Sequence, residues 1–161
     1  MLQALYEMAS RPIPEEQVQL MMAGDTALSR APDGATVLAR DVVASLNRWG
    51  KRDTSAFDLM DVVEEMRAES DRVVALRLSK PFPTLPALLG KPGTNVPCIM
   101  PERLANTDPM RPLTEMVGSG PFRYVAQERM PGARNVYARF EGYVPRPAGT
   151  PSFLAGPKLA H

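Results

Sequence analysis

The sequence predicts an α+β fold of mixed or antiparallel strands with a C-terminal hairpin and short flanking helices. Three observations carry this: residues 37–49 repeat apolar side chains at helical spacing, residues 72–79 alternate as a half-buried strand, and residues 122–143 read as two strands around a Pro-Gly turn. Hydrophobic residues make up 44% of the 161 and charged residues 23%, a composition that supports one folded core of ordinary domain size.

Residues 1–23 suggest one or two short helices, interrupted at RPIP by Pro12 and Pro14, since proline removes a donor and disfavours helix in the residue before it. ALSRAPDGAT is a connection in which Pro32, Asp33 and Gly34 supply turn chemistry, and Thr36 then offers an oxygen to cap a helix. That helix, VLARDVVASLNRW, sets Leu38, Val42, Leu46 and Trp49 on one face, with Arg40, Asn47 and Lys51 off it and Gly50 placed to end it. Trp49 is therefore expected in the core. Residues 55–68 predict a helical turn, with Phe57 and Leu59, followed by a strand.

In residues 72–79 Val74, Leu76 and Leu78 face one way and Val73, Ala75 and Arg77 the other, and KPFP ends the strand. Short helices are expected at 83–89 and 101–106, each opened by a proline in its first turn. FRYVAQERM and RNVYARFEGY flank Pro131-Gly132, a pair suited to the centre of a type II turn. The sequence holds 17 prolines, densest from Pro81 to Pro157, so long helices are excluded from the C-terminal half.

Lysine and arginine total 19 against 18 acidic residues, a net charge of +1 that provides no field to attract nucleic acid or an anionic membrane. No run approaches the ~20 apolar residues that span a bilayer, and the opening MLQALYEMASRPIPEE lacks the basic and apolar blocks of a signal peptide. The one histidine, His161, stands last in the sequence, a poor place to hold a general base. Cys98, the one cysteine, sits in NVPCIMP and is expected to be a buried, inert thiol. Asp61, Glu64 and Glu65 in DVVEEM are expected on a solvated face rather than around a metal ion, and GSGPF at 118–122 lacks the GxxxxGK[ST] pattern of a phosphate loop. The 10 methionines are expected mainly as core filler. Neither enzymatic activity nor a cofactor or metal is expected.

Four segments then carry a resemblance. DGATVLARDVVASLNRW holds Asp33, Gly34, Val37, Ala39, Asp41, Val42, Val43, Ser45 and Leu46; DRVVALRLSKPFPTLPALL gives a strand, a proline-rich exit and a short helix; NVPCIMPERL follows. EMVGSGPFRYVAQERMPGARNVYARFEGY holds Gly118, Ser119, Gly120, Pro121 and Phe122, then Asn135, Phe140 and Tyr143. In this order, over residues 32–157, they resemble family 5 of the bacterial extracellular solute-binding proteins, the dipeptide, oligopeptide and nickel receptors of ABC importers. Thr36 stands where the family usually has proline, and residues 1–31 do not resemble its usual approach.

The resemblance implies part of a lobe of the type II periplasmic-binding-protein fold, with residues 32–161 a partial first-lobe subdomain and residues 1–31 a separate, partly helical segment. It implies a periplasmic receptor that captures a small peptide or similar solute between two lobes and hands it to ABC permease subunits. By motif position Phe57, Asn95, Val96 and Pro97 are expected to line the ligand cleft. Asp33, Gly34, Asp41 and residues Gly118, Ser119, Gly120, Pro121 and Phe122 are expected to be architectural, the glycines through a positive φ. The alternative is a stand-alone interaction module, self-associating through an N-terminal helix face of Leu2, Leu5 and Met8, or a truncated remnant.

Overall fold

Helix α1, Ala39–Gly50, is the longest element of the chain's computed structural model, which describes residues 35–91, 93 and 95–143, and the backbone of residues 17–21. The chain divides into two compact units, residues 1–23 with 38–112 and residues 24–37 with 113–161.

In the first unit α1 is followed by α2 (Thr54–Met60), strands β2 (Val63–Ala68) and β3 (Val73–Leu78), and helices α3 (Leu85–Leu89) and α4 (Glu102–Ala105). Strand β1 is Gln17–Met21, and the antiparallel sheet runs β1-β3-β2, with β3 central. The core forms where the apolar stripe of α1 (Ala39, Leu46, Trp49) meets Val74, Leu76 and Leu78 of β3, with Ala56, Leu59, Val62, Leu85 and Leu89 around them. The alternation expected for β3 holds on that face, while on the opposite one Arg77 pairs with Glu64 at 2.7 Å and Glu65 at 3.6 Å, and Arg67 with Glu65 at 3.0 Å. These charges lie on β2 and the strand beside it, and a bulge interrupts the register between Val63 and Glu65, both features that discourage edge-to-edge pairing.

Several expectations need correction. Residues 17–21 form a strand, not a helix: Val18 and Leu20 alternate with glutamines, a period of two that the prolines upstream obscured. The rest of the proposed N-terminal helical segment lies outside the described residues. Thr36 does not cap α1. The N-cap is Leu38, and the Asp41 carboxylate reaches back to the Leu38 N–H at 2.8 Å. Gly50 is the last helical residue, and its missing side chain makes room for Met60, whose Cε would lie 2.6 Å from a Cβ there. The helices expected at 83–89 and 101–106 are shorter: α3 starts at Leu85 with Pro86 in its first turn, and Pro101 stands just outside α4 as its N-cap. Methionines are divided: Met60 and Met66 pack on the core, whereas Met110, Met116 and Met130 are exposed.

The second unit contains strands β4 (Phe122–Tyr124) and β5 (Tyr137–Arg139), paired antiparallel. Their turn is as expected. Ala133 N–H donates to Met130 O at 3.0 Å, and Gly132 has φ +76°, the value required at the third position of a type II turn. The ladder is shorter than the sequence suggests because residues Ala126–Glu128 coil into a 3-10 turn. Tyr124 and Tyr137 stand opposite each other with ring centroids 5.6 Å apart. No helix among the described residues is long and apolar enough to cross a membrane.

Candidate functional site

A second stripe of α1 carries Asp41, Ser45 and Arg48 at intervals of four and three, continued by Arg52 just beyond the helix. They bind mainly backbone, although Arg48 also donates to the Thr107 hydroxyl at 3.1 Å. Asp41 Oδ1 accepts the Glu102 N–H at 2.8 Å. The buried Ser45 hydroxyl accepts from Met100 N–H at 3.0 Å and donates to Met100 O at 3.1 Å. Arg48 donates to Thr107 O at 2.6 Å, Asp108 O at 3.1 Å and Arg111 O at 3.0 Å, and Arg52 to Pro109 O at 2.7 Å. Residues 100–111, which carry little regular structure, thereby find partners for backbone groups that a sheet would otherwise satisfy.

Upstream of this clamped segment lies the turn of residues 95–98. The Trp49 indole N–H donates to Asn95 O at 2.5 Å, so the buried ring that closes the core also fixes the turn. Asn95 has φ +58°, a left-handed conformation that asparagine tolerates better than most residues. Cys98 N–H donates to Val96 O at 2.8 Å across Pro97, whose ring supplies the φ such a three-residue turn needs. Pro97 takes the buried position, leaving Asn95 and Val96 exposed. Cys98 is also exposed, contrary to the expectation of a buried thiol: the turn gives the inward place to its proline neighbour.

A third feature sits between α1 and α2. Asp53 caps α2, accepting the Ser55 N–H at 2.8 Å and the Ser55 hydroxyl on Oδ1. Its Oδ2 accepts from Lys91 Nζ at 2.7 Å, and Lys91 also donates to Ser55 Oγ at 2.7 Å. The Asp53 side chain is 4% exposed, and the hydrogen bonds from Lys91 and Ser55 hold its carboxyl down at about 2 against the desolvation that opposes them. Phe57, 46% exposed, stands on the helix that Asp53 caps.

The expected site residues are thus distributed as follows. Asn95, Val96 and Pro97 share one turn, and Phe57 lies on α2, linked to that turn through Asp53, Lys91 and Trp49. Asp41 joins the start of α1 to the start of α4. Gly118, Ser119, Gly120, Pro121 and Phe122 belong to the second unit, where Pro121 O accepts the Phe140 N–H at 2.8 Å as the chain enters β4. The positive φ expected for Gly118 and Gly120 is not found, and a Cβ at either would meet nothing within 4 Å. Asp33 and Gly34 lie outside the described residues. Asp53, Lys91, Arg48 and Arg52 were not foreseen. Asp53-Thr54-Ser55 before an apolar turn is a capping signal that locates the first of them, and the stripe spacing from Asp41 locates the arginines.

Comparison with known proteins gives this geometry its setting. The profile of the bacterial extracellular solute-binding proteins, family 5 Middle, matches residues 32–154. The chain belongs to this family. A probable peptide ABC transporter periplasmic-binding protein of Sinorhizobium fredii is 36% identical over 129 residues, covering 80% of this chain and 24% of the relative. The family-5 chain described here thus spans about a quarter of that relative's length.

Among solved structures, AgaA of A. tumefaciens R10, in complex with agropinic acid, superposes with a TM-score of 0.61 at 22% identity, over 80% of this chain and 25% of that one. NikA from Brucella suis, in complex with Fe(III)-EDTA, also gives 0.61, at 17% identity over 83% and 26%. OppA of Burkholderia pseudomallei gives 0.55, at 18% identity over 83% and 28%. These likenesses show the fold, a mixed α+β portion of a periplasmic binding protein. Within this family-5 chain the DVVASL segment has a physical meaning: its two valines pack on the core while Asp41 and Ser45 clamp residues 100–102.

Proposed function

We propose that this chain supplies part of the first lobe of a two-lobed periplasmic receptor that captures a small peptide or similar solute for an ABC permease, and that it is not an enzyme. Residues 32–161 are the lobe portion, and residues 1–31 precede it, adding strand β1 to its sheet. The observation that carries the reading is the turn at residues 95–97: Asn95 and Val96 are solvent-exposed on a backbone anchored to the core through Trp49. A rigidly held, partly apolar turn is what a cleft wall requires, because preorganisation spares the binding step the cost of ordering the loop. The probable peptide transporter relative supports a peptide over other solutes.

Receptors of this kind draw affinity from both lobes as they close. A chain with one part of one wall should therefore bind weakly, about millimolar or worse. Trp49 is the only tryptophan, so its emission reports on the turn. Titration with trialanine should give a small saturable change, weakened several-fold by Phe57→Ala or Val96→Ser, by about 1 kcal/mol each. A response indifferent to both substitutions, or none up to the solubility limit, would count against the assignment.

A further inference from the structure

We propose that Asp53, Lys91 and Trp49 form a positioning device that holds the helix bearing Phe57 and the turn bearing Asn95, Val96 and Pro97 in one fixed arrangement. This rests on the wall reading above and adds residues that line no wall themselves.

A helix cap asks for little. One acceptor oxygen suffices, and a serine or threonine would provide it without placing a charge in the interior. Asp53 caps α2 with Oδ1 alone. Its second oxygen is given to Lys91, distant in sequence, where the segment leading to the turn begins. The pair is well enclosed, with side chains 4% and 22% exposed, and a carboxylate so placed depends on its partner.

Lys91 lies at the same time over the Trp49 ring, 5.5 Å from its centroid, and Trp49 donates to Asn95 O at 2.5 Å. The segment is thus held at its start by Lys91 and at Asn95 by the indole. Asn95 sits at φ +58°, a state asparagine tolerates better than most residues, and the indole bond to its carbonyl holds it there. A chain of polar contacts therefore runs Phe57 helix, Asp53, Lys91, Trp49, Asn95, and a ligand touching both ends would meet a surface whose spacing is set from within.

Lys91→Met and Lys91→Arg in the full chain test this, read by amide hydrogen exchange and trialanine titration. In Lys91→Met the Ser55 and Cys98 amides should exchange about tenfold faster while those of Leu46 and Leu76 keep their protection. Trialanine affinity should fall about fivefold, and Lys91→Arg should recover most of both effects. Unchanged exchange at Ser55 and Cys98, a loss spread evenly to Leu46 and Leu76, or altered exchange with unaltered affinity would each overturn the proposal. Should Lys91→Met fail to fold, Trp49→Phe keeps an aromatic ring and removes the indole donor together with some core volume; it should speed Cys98 more than Ser55, and equal effects on both would refute the chain of contacts. If the unsubstituted chain gives no response to trialanine, the wall reading fails, and the exchange pattern alone still decides whether Lys91 couples the two segments.

Discussion

Residues 38–112 contain every buried hydrophobic side chain among the described residues, from Ala39 to Ala105, whereas none in 113–143 is buried and Met116, Phe122, Met130 and Tyr137 stand exposed. The first region is defined by an interior: a helix stripe on a strand, with a second stripe of Asp41, Ser45, Arg48 and Arg52 fastening an irregular segment outside it. The second is defined by backbone chemistry, a Pro-Gly turn, a short ladder and one tyrosine pair. A two-stranded hairpin is marginal by itself in water, so the second region depends on more than its own strands. Exposed residues are held firmly where there is a core to anchor them, and that is the region with the turn at 95–97.

Core truncation should separate the two regions most widely. Leu76→Ala, at a site 1% exposed, should cost about 2–5 kcal/mol in chemical denaturation, whereas Phe122→Ala in the hairpin should change stability by no more than about 0.5 kcal/mol. Comparable losses at both would erase the contrast. Ser45→Ala comes next, leaving the Met100 N–H and carbonyl without their partner, at about 1–3 kcal/mol; a loss too small to measure would mean that the clamp is replaceable by water.

Acid should weaken the first region through Asp53. Its carboxyl is depressed to about 2 in the folded chain, chiefly by Lys91, against about 3.9 when unfolded. The stabilisation is therefore complete above about pH 4 and is lost as the pH falls toward 2. Tm followed from pH 5 to pH 2 should show this limb, partly flattened in Asp53→Asn; identical curves would remove Asp53 from the account.

The smallest effects distinguish glycines within the hairpin region. Gly132→Ala places a side chain at φ +76° and should cost about 1 kcal/mol, while Gly118→Ala and Gly120→Ala should stay within about 0.5 kcal/mol. Hydrogen exchange at Ala133 and Arg134, which donate to Met130 O, reads the first. A larger loss at Gly118 would restore the positive-φ role first expected for it.

Much of this arrangement could be read from residues alone because it follows period and turn chemistry. The α1 stripe, the alternation in β3 and the Pro131-Gly132 turn are local patterns, and the motif order from Asp33 to Tyr143 pointed to the family. What stayed hidden was long-range. Nothing adjacent to Lys91 shows that it will meet Asp53, and Arg48 and Arg52 look like ordinary solvated residues until residues 107–111 pass beneath them. Cys98 misled because apolar neighbours suggest burial, whereas the turn across Pro97 decides which residue points inward. Gly118 and Gly120 misled because glycine is compatible with positive φ but does not require it.

The most direct measurement for the central claim is residue-resolved chemical-shift mapping of the isotopically labelled chain with trialanine. Concentration-dependent shifts are expected at the amides of Phe57, Asn95, Val96 and Cys98, with the Trp49 indole N–H moving in step and β5 silent. Shifts confined to the hairpin, or absent from residues 95–98 while present elsewhere, would contradict that claim.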